Sequence, residues 1–406
     1  MLFEGLKVLD VGTVIAGPVS TTMLADFGAD VIKVEPPGAG DLLRHIGLAT
    51  TMPDHEVNYL WHLDARNKRS IQLDLKRPEA IEVLWRLIDQ ADVYVTNQPF
   101  PVRRSLGLEY ADVAARRPSI IYGSLTANGE HGPDRDDKGF DLVSYWTRSG
   151  LMDLVRGPGS NPTHSLPGMG DHPTAVSLFA GLVMALLHRE RTGEGSLVST
   201  SLLANGLWSS AAVTQGALTG ADMDAHRQRQ QEPGFLGKLY ETRDGRWIGI
   251  TMVRAGNEIK QLFAALDATD LLDDERFSTT PAQYEHRSAL SAEVAARFSR
   301  RTAAEWMATF AQHGVPAALA PRSEDAVRDP QLEANSMVID GDPSTGVGKL
   351  INHPVQVSAL KRADVRRAPD PGEHTEQILR EAGFGSDEID ELLSNGAAWA
   401  ARTAAP

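Results

Sequence analysis

Asp171 is the carboxylate whose surroundings in the sequence best suit a nucleophile. It lies in GMGDHPT at residues 168–174, ahead of an apolar segment that ends near Leu187. The proline two residues later fits the first turn of a helix, so the pattern predicts a helix with Asp171 at its N-cap. The residues alone favour a capping role, in which the side chain accepts from free backbone N–H groups. The alternative is covalent catalysis, because the flanking glycines leave room for a bulky ligand and the helix dipole favours an ionised carboxylate.

A second group of candidates lies in a charged loop, DRDDKGFDLV at residues 134–143. Such a charge run is usually a solvated loop, and the residues alone favour that interpretation. The alternative is that Lys138 contacts a phosphate and that Asp141 supports the site. His172, beside Asp171, would point about 100° away from it on a helix, which makes it a poor partner for that carboxylate.

Several other kinds of chemistry lack the residues that they need. The 406 residues include no cysteine, which removes thiolate nucleophiles, and none of the 12 histidines has another three or four residues away. The turn after the first predicted strand lacks the GxGxxG pattern of dinucleotide-binding folds. GVGKL at residues 346–350 lacks the first glycine and the hydroxyl of a phosphate loop. We therefore expect no metal and no tightly bound cofactor.

Charge and hydropathy indicate the surroundings of the protein. The formal net charge of −14 disfavours binding to nucleic acid or to an anionic membrane, since both require clustered basic residues. The first residues, MLFEGLKVLD, lack the basic and apolar regions of a signal peptide. The longest apolar run, near residues 175–187, is too short to span a bilayer. We expect a cytoplasmic protein.

The elements that must position these residues indicate an α/β fold. Short apolar runs predict strands, and amphipathic segments between them predict helices. The predicted strands are residues 6–12, 30–35, 92–97 and 118–124, and the predicted helices are residues 20–27 and 77–90. Alternation of this kind favours a mostly parallel sheet covered by helices. After a polar stretch at 221–232, a hairpin around Asp244-Gly245 and two helical patterns predict a smaller α+β domain over residues 235–320.

Short blocks in a fixed order extend along nearly the whole chain. They are GLKVLD at residues 5–10, AGP at 16–18, LADFGADVIKVEPP at 24–37, NKRSI at 67–71, LDLK at 73–76, GFD at 139–141, GD at 170–171, HRERTGEG at 188–195 and GEHT at 372–375. In this order they resemble the class III coenzyme A (CoA) transferases, the CaiB/BaiF family that includes formyl-CoA transferase. One block alone would carry little weight, whereas the ordered series is specific.

The resemblance implies an enzyme with Asp171 as its nucleophile and Asp141 as a possible supporting residue. Asp171 would attack an acyl-CoA donor, form mixed anhydrides and an aspartyl-CoA thioester, and pass CoA to a carboxylic acid. CoA would be a substrate, with Val14, Ile15 and Ala16 near its pantetheine. The full set of implied CoA-binding residues is Val14, Ile15, Ala16, Leu73, Leu75, Lys76, Asn97, Arg104 and Lys138, with Arg103 open as the alternative to Arg104.

The resemblance also implies a domain organisation and an assembly. Residues 1–207 would form a large Rossmann-like domain, residues 208–234 a linker and residues 235–320 the small domain. Residues 321–406 would return to the large domain. Two copies of the chain would thread through each other as an interlocked homodimer.

Two departures from the family pattern bear on the reaction. The related acyl-CoA racemases have a histidine just before the position of Asp141, where this chain has Phe140, so transfer is preferred to racemisation. No run of glycines occurs in residues 233–256, which disfavours formyl-CoA and oxalate as substrates. SLLANGLW at residues 201–208 is more similar to transferases of larger acids, mesaconyl-CoA transferases among them. An epimerase or racemase of 2-methylacyl-CoA and a noncatalytic CoA-binding protein stay open as alternatives.

Overall fold

The computed structural model describes residues 1–46, 52–157, 159–231, 234–250, 253 and 257–401. The chain forms two compact units. The first comprises Met1–Val155, Pro162–Thr214 and Ser336–Pro406, and the second comprises Arg156–Asn161 and Gln215–Asn335. None of the described helices combines the length and the apolar character that crossing a membrane requires.

The secondary structure mixes strands and helices along the whole described chain. The strands are β1 (Lys7–Asp10), β2 (Asp30–Glu35), β3 (Arg69–Leu73), β4 (Val93–Thr96), β5 (Ile121–Thr126), β6 (Ser196–Ser201), β7 (Leu239–Glu241), β8 (Trp247–Ile250), β9 (Ala317–Ala320), β10 (Val338–Asp340), β11 (Lys349–Ile351) and β12 (Ala398–Trp399). The α-helices are α1 (Ala16–Asp26), α2 (Leu43–Ile46), α3 (Tyr59–Asp64), α4 (Pro78–Gln90), α5 (Phe100–Leu106), α6 (Tyr110–Arg116), α7 (Leu151–Leu154), α8 (Asp171–Thr192), α9 (Leu202–Ser209), α10 (Ala211–Leu218), α11 (Met223–Gln231), α12 (Asn257–Ala265), α13 (Thr280–Glu285), α14 (Arg287–Phe298), α15 (Ala303–His313), α16 (Ser323–Ala326), α17 (Pro330–Ala334), α18 (Thr375–Glu381) and α19 (Ser386–Ser394). A π-helix covers Asp141–Arg148, and short 3-10 helices cover Phe235–Gly237, Thr269–Leu272 and Pro343–Thr345.

A seven-stranded sheet forms the centre of the first unit. Its strand order is β12-β3-β2-β1-β4-β5-β6, in which β1 to β6 are parallel and β12 is antiparallel to β3. The predicted α/β fold with a mostly parallel sheet is therefore confirmed. The chain reverses its direction across the sheet between β1 and β4, and in open α/β sheets ligands bind outside the carboxyl ends of the strands at such a point.

Helices cover the sheet on both faces. Alternate strand residues point to opposite faces, so Val93 and Val95 join the core beneath α1 and α8, whereas Tyr94 joins the core beneath α4, α18 and α19. Because both faces are buried at the centre of the sheet, β1 and β4 contain successive apolar residues without alternation, which is why they could be recognised in the sequence.

The second unit has its own sheet and core. β7, β8 and β9 form an antiparallel sheet, and the hairpin predicted around Asp244-Gly245 joins the first two of these strands. Aromatic side chains of α12, α14 and α15, including Phe263, Phe298 and Trp306, fill the core.

The boundaries of the two compact units differ from the expected domain boundaries in several places, one of which is residues 156–161, expected in the large domain but part of the second unit. Residues 208–234, expected as a linker, contain α10 and α11. Residues 321–335, expected in the returning C-terminal segment, belong to the second unit.

Candidate active site

A pocket opens at the reversal point of the large sheet, at the carboxyl ends of its central strands. Its empty space measures about 810 Å³, including the part that is open to solvent. The lining residues come from the segments after β1, β4 and β5 and from the starts of α8 and α9. They are Thr13, Val14, Ile15, Ala16, Asn97, Gln98, Pro99, Phe100, Leu125, Thr126, Ala127, Arg135, Asp137, Lys138, Gly139, Phe140, Asp171 and Leu202.

Asp171 lies on the wall of this pocket as the first residue of α8, and Gly170 is the N-cap. The prediction that Asp171 itself is the N-cap is wrong, because the chain already has a helical backbone at Gly170, with φ −93° and ψ −31°. The Asp171 side chain forms no hydrogen bond with any described residue. Its oxygens therefore stay available to a ligand in the pocket.

Gly170 is small for a different reason from the one that the sequence suggested. A Cβ atom at this position would lie 2.5 Å from Cγ of the Tyr145 ring, which is closer than atoms can approach. Gly170 therefore leaves room for the π-helix that carries Tyr145, and not for a ligand. The π-helix in turn brings Asp141 to the start of α8, where Asp141 Oδ2 lies 3.5 Å from the Gly170 backbone N.

The surroundings of Asp171 favour its protonated form. Burial, followed by the negative charge of Asp141, raises the pKa of Asp171 from its ordinary value of 3.8 to about 7. The charge of His172 opposes this shift, and the charge of Asp64 adds to it. Both the protonated and the ionised form of Asp171 are therefore accessible near neutral pH in the ligand-free protein.

His172 is paired with a residue that the sequence analysis missed. Its Nε2 lies 3.1 Å from Asp64 Oδ1, at the end of α3, and its Nδ1 lies 3.0 Å from the carbonyl oxygen of Gly168. Burial alone would lower the pKa of His172, but the hydrogen bond and the charge of Asp64 raise it to about 9. Asp64 and His172 are 108 residues apart, and no local pattern in the sequence joins them.

The loop after β1 is held rigidly against the pocket by polar contacts. Asn97 accepts from the Thr13 N–H and donates to the Thr13 carbonyl oxygen, both at 2.8 Å. Val14 has a left-handed backbone with φ +64°, which is unfavourable for a β-branched residue, and its N–H donates to Asp41 at 3.0 Å. Asp41 is in turn paired with the buried Lys33 at 2.8 Å. The strained conformation of Val14 therefore depends on a buried ion pair.

The sequence matches the model of CoA-transferase family III over residues 3–375. The chain belongs to this family. It is thus an enzyme that transfers CoA between an acyl-CoA and a carboxylic acid.

Relatives of this CoA-transferase match it over almost their whole lengths. The (R)-2-hydroxy-4-methylpentanoate CoA-transferase of Clostridioides difficile is 29% identical over 394 residues, which cover 97% of this chain and 98% of the relative. The cinnamoyl-CoA:phenyllactate CoA-transferase of Clostridium sporogenes is 29% identical over 397 residues, which cover 96% of each chain. The crystal structure of a CAIB/BAIF family protein from Brucella suis superposes with a TM-score of 0.81 at 28% identity, covering 93% of this chain and 98% of that chain.

The structure brings six of the residues expected at the site of this CoA-transferase into one pocket lining. These are Val14, Ile15, Ala16, Asn97, Lys138 and Asp171. Asp141 lies behind Asp171 and does not line the pocket itself.

The remaining expected CoA-binding residues lie outside that lining. The side chain of Leu73 is buried in the sheet core, and Leu75 packs against the same core. Lys76 is exposed at the start of the segment that leads into α4. Arg104 is half exposed and lies 3.6 Å from Asp136, next to the Lys138 loop.

Two arginines near the pocket, Arg103 and Arg135, have different environments. Arg103 is buried, and its guanidinium donates to the Gln98 carbonyl oxygen and to Ser124 Oγ, both at 2.6 Å. Arg135, which the sequence analysis did not single out, lines the pocket and stacks on Phe100, with its guanidinium carbon 3.9 Å from the ring centroid. Arg103 therefore supports the fold, whereas Arg104 is exposed and Arg135 lines the pocket.

Proposed function

We propose that this CoA-transferase works through a covalent intermediate on Asp171. The observation that carries the proposal is a carboxylate without a hydrogen-bond partner among the described residues, on the wall of a pocket at the reversal point of the sheet. A carboxylate held by capping bonds would be a weak nucleophile, and Asp171 is free of them.

In the proposed reaction, each attack breaks one acyl bond and forms another. Asp171 attacks the donor thioester, the C–S bond breaks, and CoA leaves as a thiolate while a mixed anhydride forms. The thiolate then attacks the Asp171 carbonyl carbon, releases the donor acid as a carboxylate and forms an aspartyl-CoA thioester. The acceptor carboxylate attacks this thioester and releases the thiolate, which attacks the acceptor carbonyl of the second anhydride and regenerates Asp171. Because the thioester bond energy is retained, no ATP is consumed.

We assign the anionic parts of CoA to exposed basic residues of the first unit, of which Lys138 lines the pocket. Lys138 is exposed, lines the pocket and forms no ion pair with any described residue, so its ammonium group is available to a phosphate. Arg104 and Lys76 are exposed in the same unit and complete the proposed set of cations. Val14, Ile15 and Ala16 offer an apolar wall for the pantetheine, next to Asp171.

For the acids, we propose 2-hydroxy acids with branched or aromatic side chains as the first class to screen. Two relatives are named for such acids, (R)-2-hydroxy-4-methylpentanoate and phenyllactate. The absence of a glycine run in residues 233–256 of the sequence also favours acids larger than oxalate.

An interlocked homodimer is part of the proposal. α8 exposes one stripe of small and apolar side chains, which includes Ala180, Met184 and Leu187, and Met184 is 72% exposed. Trp208 on α9 is 81% exposed, and β6 forms an edge of the sheet. Apolar surface of this extent favours burial against a partner. Light scattering at micromolar concentration should give the mass of a dimer, and an active monomer would exclude it.

The covalent step can be tested without knowing the acceptor. Donor acyl-CoA with hydroxylamine should convert Asp171 into a hydroxamate, because an anhydride or thioester is electrophilic and a resting carboxylate is not. Mass spectrometry of the peptide identifies the labelled residue. Asp171→Asn should lose both label and turnover, whereas Asp390→Asn, an exposed carboxylate on α19, should keep both. A label on Asp141 would contradict the proposal, and exchange of an α-hydrogen of a 2-methylacyl-CoA in deuterium oxide would support the racemase alternative.

A further inference from the structure

The pairing of His172 determines its protonation state by geometry. Nδ1 faces a carbonyl oxygen at 3.0 Å, and Nε2 faces a carboxylate oxygen at 3.1 Å. The carbonyl oxygen and the ionised Asp64 carboxylate both accept, so with Asp64 ionised both ring nitrogens donate, and only the imidazolium has two N–H groups. His172 is therefore positively charged.

Asp64 requires this charge. Its side chain is 2% exposed, and its second oxygen, Oδ2, is buried without a hydrogen-bond partner among the described residues. A buried carboxylate with one oxygen unsatisfied is costly unless a cation is paired with the other. The imidazolium of His172 is hydrogen-bonded to the other oxygen, Asp64 Oδ1, and supplies this positive charge.

The same geometry excludes proton transfer by His172. Each of its protons is held by an acceptor that the fold places, so neither is directed at a substrate atom in the pocket. His172 acts by its charge, which lowers the pKa of Asp171, the preceding residue in the first turn of α8.

We propose that His172, held as an imidazolium by Asp64 and by the Gly168 carbonyl, is a positioning residue that increases the fraction of Asp171 in the carboxylate form required for attack. This inference rests on the proposed nucleophilic role of Asp171. Asp141, which lies on the π-helix, has the opposite effect, because its negative charge raises the pKa of Asp171. The ionisation of Asp171 therefore depends on the balance between the positive charge of His172 and the negative charges of the carboxylates around it.

The charged groups around this pair come from several elements. Lys138 and Arg135 line the same pocket as Asp171. On the other side, His172 lines a second, mostly apolar cavity together with Arg66 and His353. Arg66 is paired with Asp26 at 2.7 Å. Burial, followed by the charge of Arg362, lowers the pKa of His353 to about 4, so His353 is neutral at the pH of the experiments below.

The test is the pH dependence of covalent labelling. The rate of hydroxamate formation on Asp171 should rise with pH through about 7 in the wild type. In His172→Gln, the midpoint should move up by about one pH unit, which gives about a tenfold slower rate at pH 6 and little change at pH 9. His188→Gln is the matched control, since His188 is an exposed histidine on the same helix. A uniform loss at all pH values, or no shift, would overturn the proposal.

A double variant separates charge from packing. His172→Gln leaves Asp64 as an unpaired buried carboxylate, which also repels Asp171, so His172→Gln/Asp64→Asn should recover part of the shift. Damage to packing would instead make the double variant worse than the single one. Asp141→Asn should move the midpoint in the opposite direction, to lower pH.

The protonation of His172 can also be read directly in the resting protein. With ring-labelled histidine, the NMR signal that disappears in His172→Gln should remain that of an imidazolium up to about pH 9. A neutral ring at pH 7 would refute the inference. If Asp171→Asn retains labelling, the covalent mechanism fails, whereas labelling of Asp171 without a shift in His172→Gln refutes this inference alone.

Discussion

Replacing Asp171 by asparagine should stabilise the protein while abolishing its activity. The pKa of Asp171 is about 7 in the folded protein, against an ordinary value of 3.8. Between these two values the folded state binds more protons than the unfolded state, so the carboxyl group costs stability as the pH rises through this range. The cost is complete above about pH 7 and absent below about pH 4. Asparagine has no charge to bury and is free of this cost.

The magnitude follows from the difference between the two pKa values. About 1.4 kcal/mol for each pH unit gives an upper limit of about 4 kcal/mol at pH 8. Because the carboxylate faces a pocket that is open to solvent, we expect about 1–3 kcal/mol for Asp171→Asn at pH 8. The gain should fall to less than half of this at pH 5.

The assay is thermal unfolding at pH 5 and pH 8, compared between wild type and variant. An increase of about 2 °C in Tm for each kcal/mol is expected for a unit of this size. Asp390→Asn should leave Tm unchanged at both pH values. A variant Asp171→Asn that is no more stable than wild type at pH 8, or whose gain does not depend on pH, would contradict a raised pKa of Asp171 in the folded protein. A capping role would instead make Asp171→Ala less stable by about 0.5–2 kcal/mol at either pH.

Two further substitutions test the roles assigned to basic residues. Lys138→Ala should raise KM for every acyl-CoA donor by about tenfold or more, because a contact to phosphate is lost. The control Lys361→Ala, at an exposed site, should leave KM unchanged. An unchanged KM in Lys138→Ala would mean that Lys138 is only a solvated residue of its loop. Arg103→Ala should lower the free energy of unfolding by about 3 kcal/mol or more, because Ser124 Oγ and the Leu125 carbonyl oxygen lose their donor. Arg104→Ala should instead raise KM for acyl-CoA and leave Tm unchanged. Steady-state kinetics and thermal unfolding measure these effects. If Arg103→Ala raised KM and Arg104→Ala lowered Tm, Arg104 would be the structural residue and Arg103 the one that contacts CoA.

How much of the molecule the sequence could predict depends on how local each interaction is. The central strands β1 and β4 contain successive apolar residues, and the glycine and proline around Asp171 predicted the start of α8 to within one residue. The Asp64–His172 pair and the approach of Tyr145 to Gly170 are contacts between distant segments, which periodicity does not reveal. The prediction that Asp171 is the N-cap failed for the same reason. The π-helix packs against Gly170, the residue before α8, and a local pattern does not show this contact.

The raised pKa of Asp171 has a similar origin. The helix dipole could be anticipated from the position of Asp171 at the start of a helix. Burial and the charge of Asp141 could not, since they arise from tertiary packing around the pocket. The leucines near β3 show the same limit, because the block that contains them was recognised but the burial of Leu73 in the core was not.

The antiparallel strand at the edge of the large sheet has a consequence for biosynthesis. A hydrogen bond from the Gly372 N–H to Ser70 Oγ joins residues 302 positions apart, and β12 pairs with β3 at the same edge. Ile378 and Leu392 of the last two helices complete the core around Leu84. While the chain emerges from the ribosome, β3 is therefore an open edge and the apolar face of α4 is incomplete until the final segment has been translated. We therefore expect the nascent chain to be prone to aggregation during this interval, until β12, α18 and α19 pack against β3 and α4.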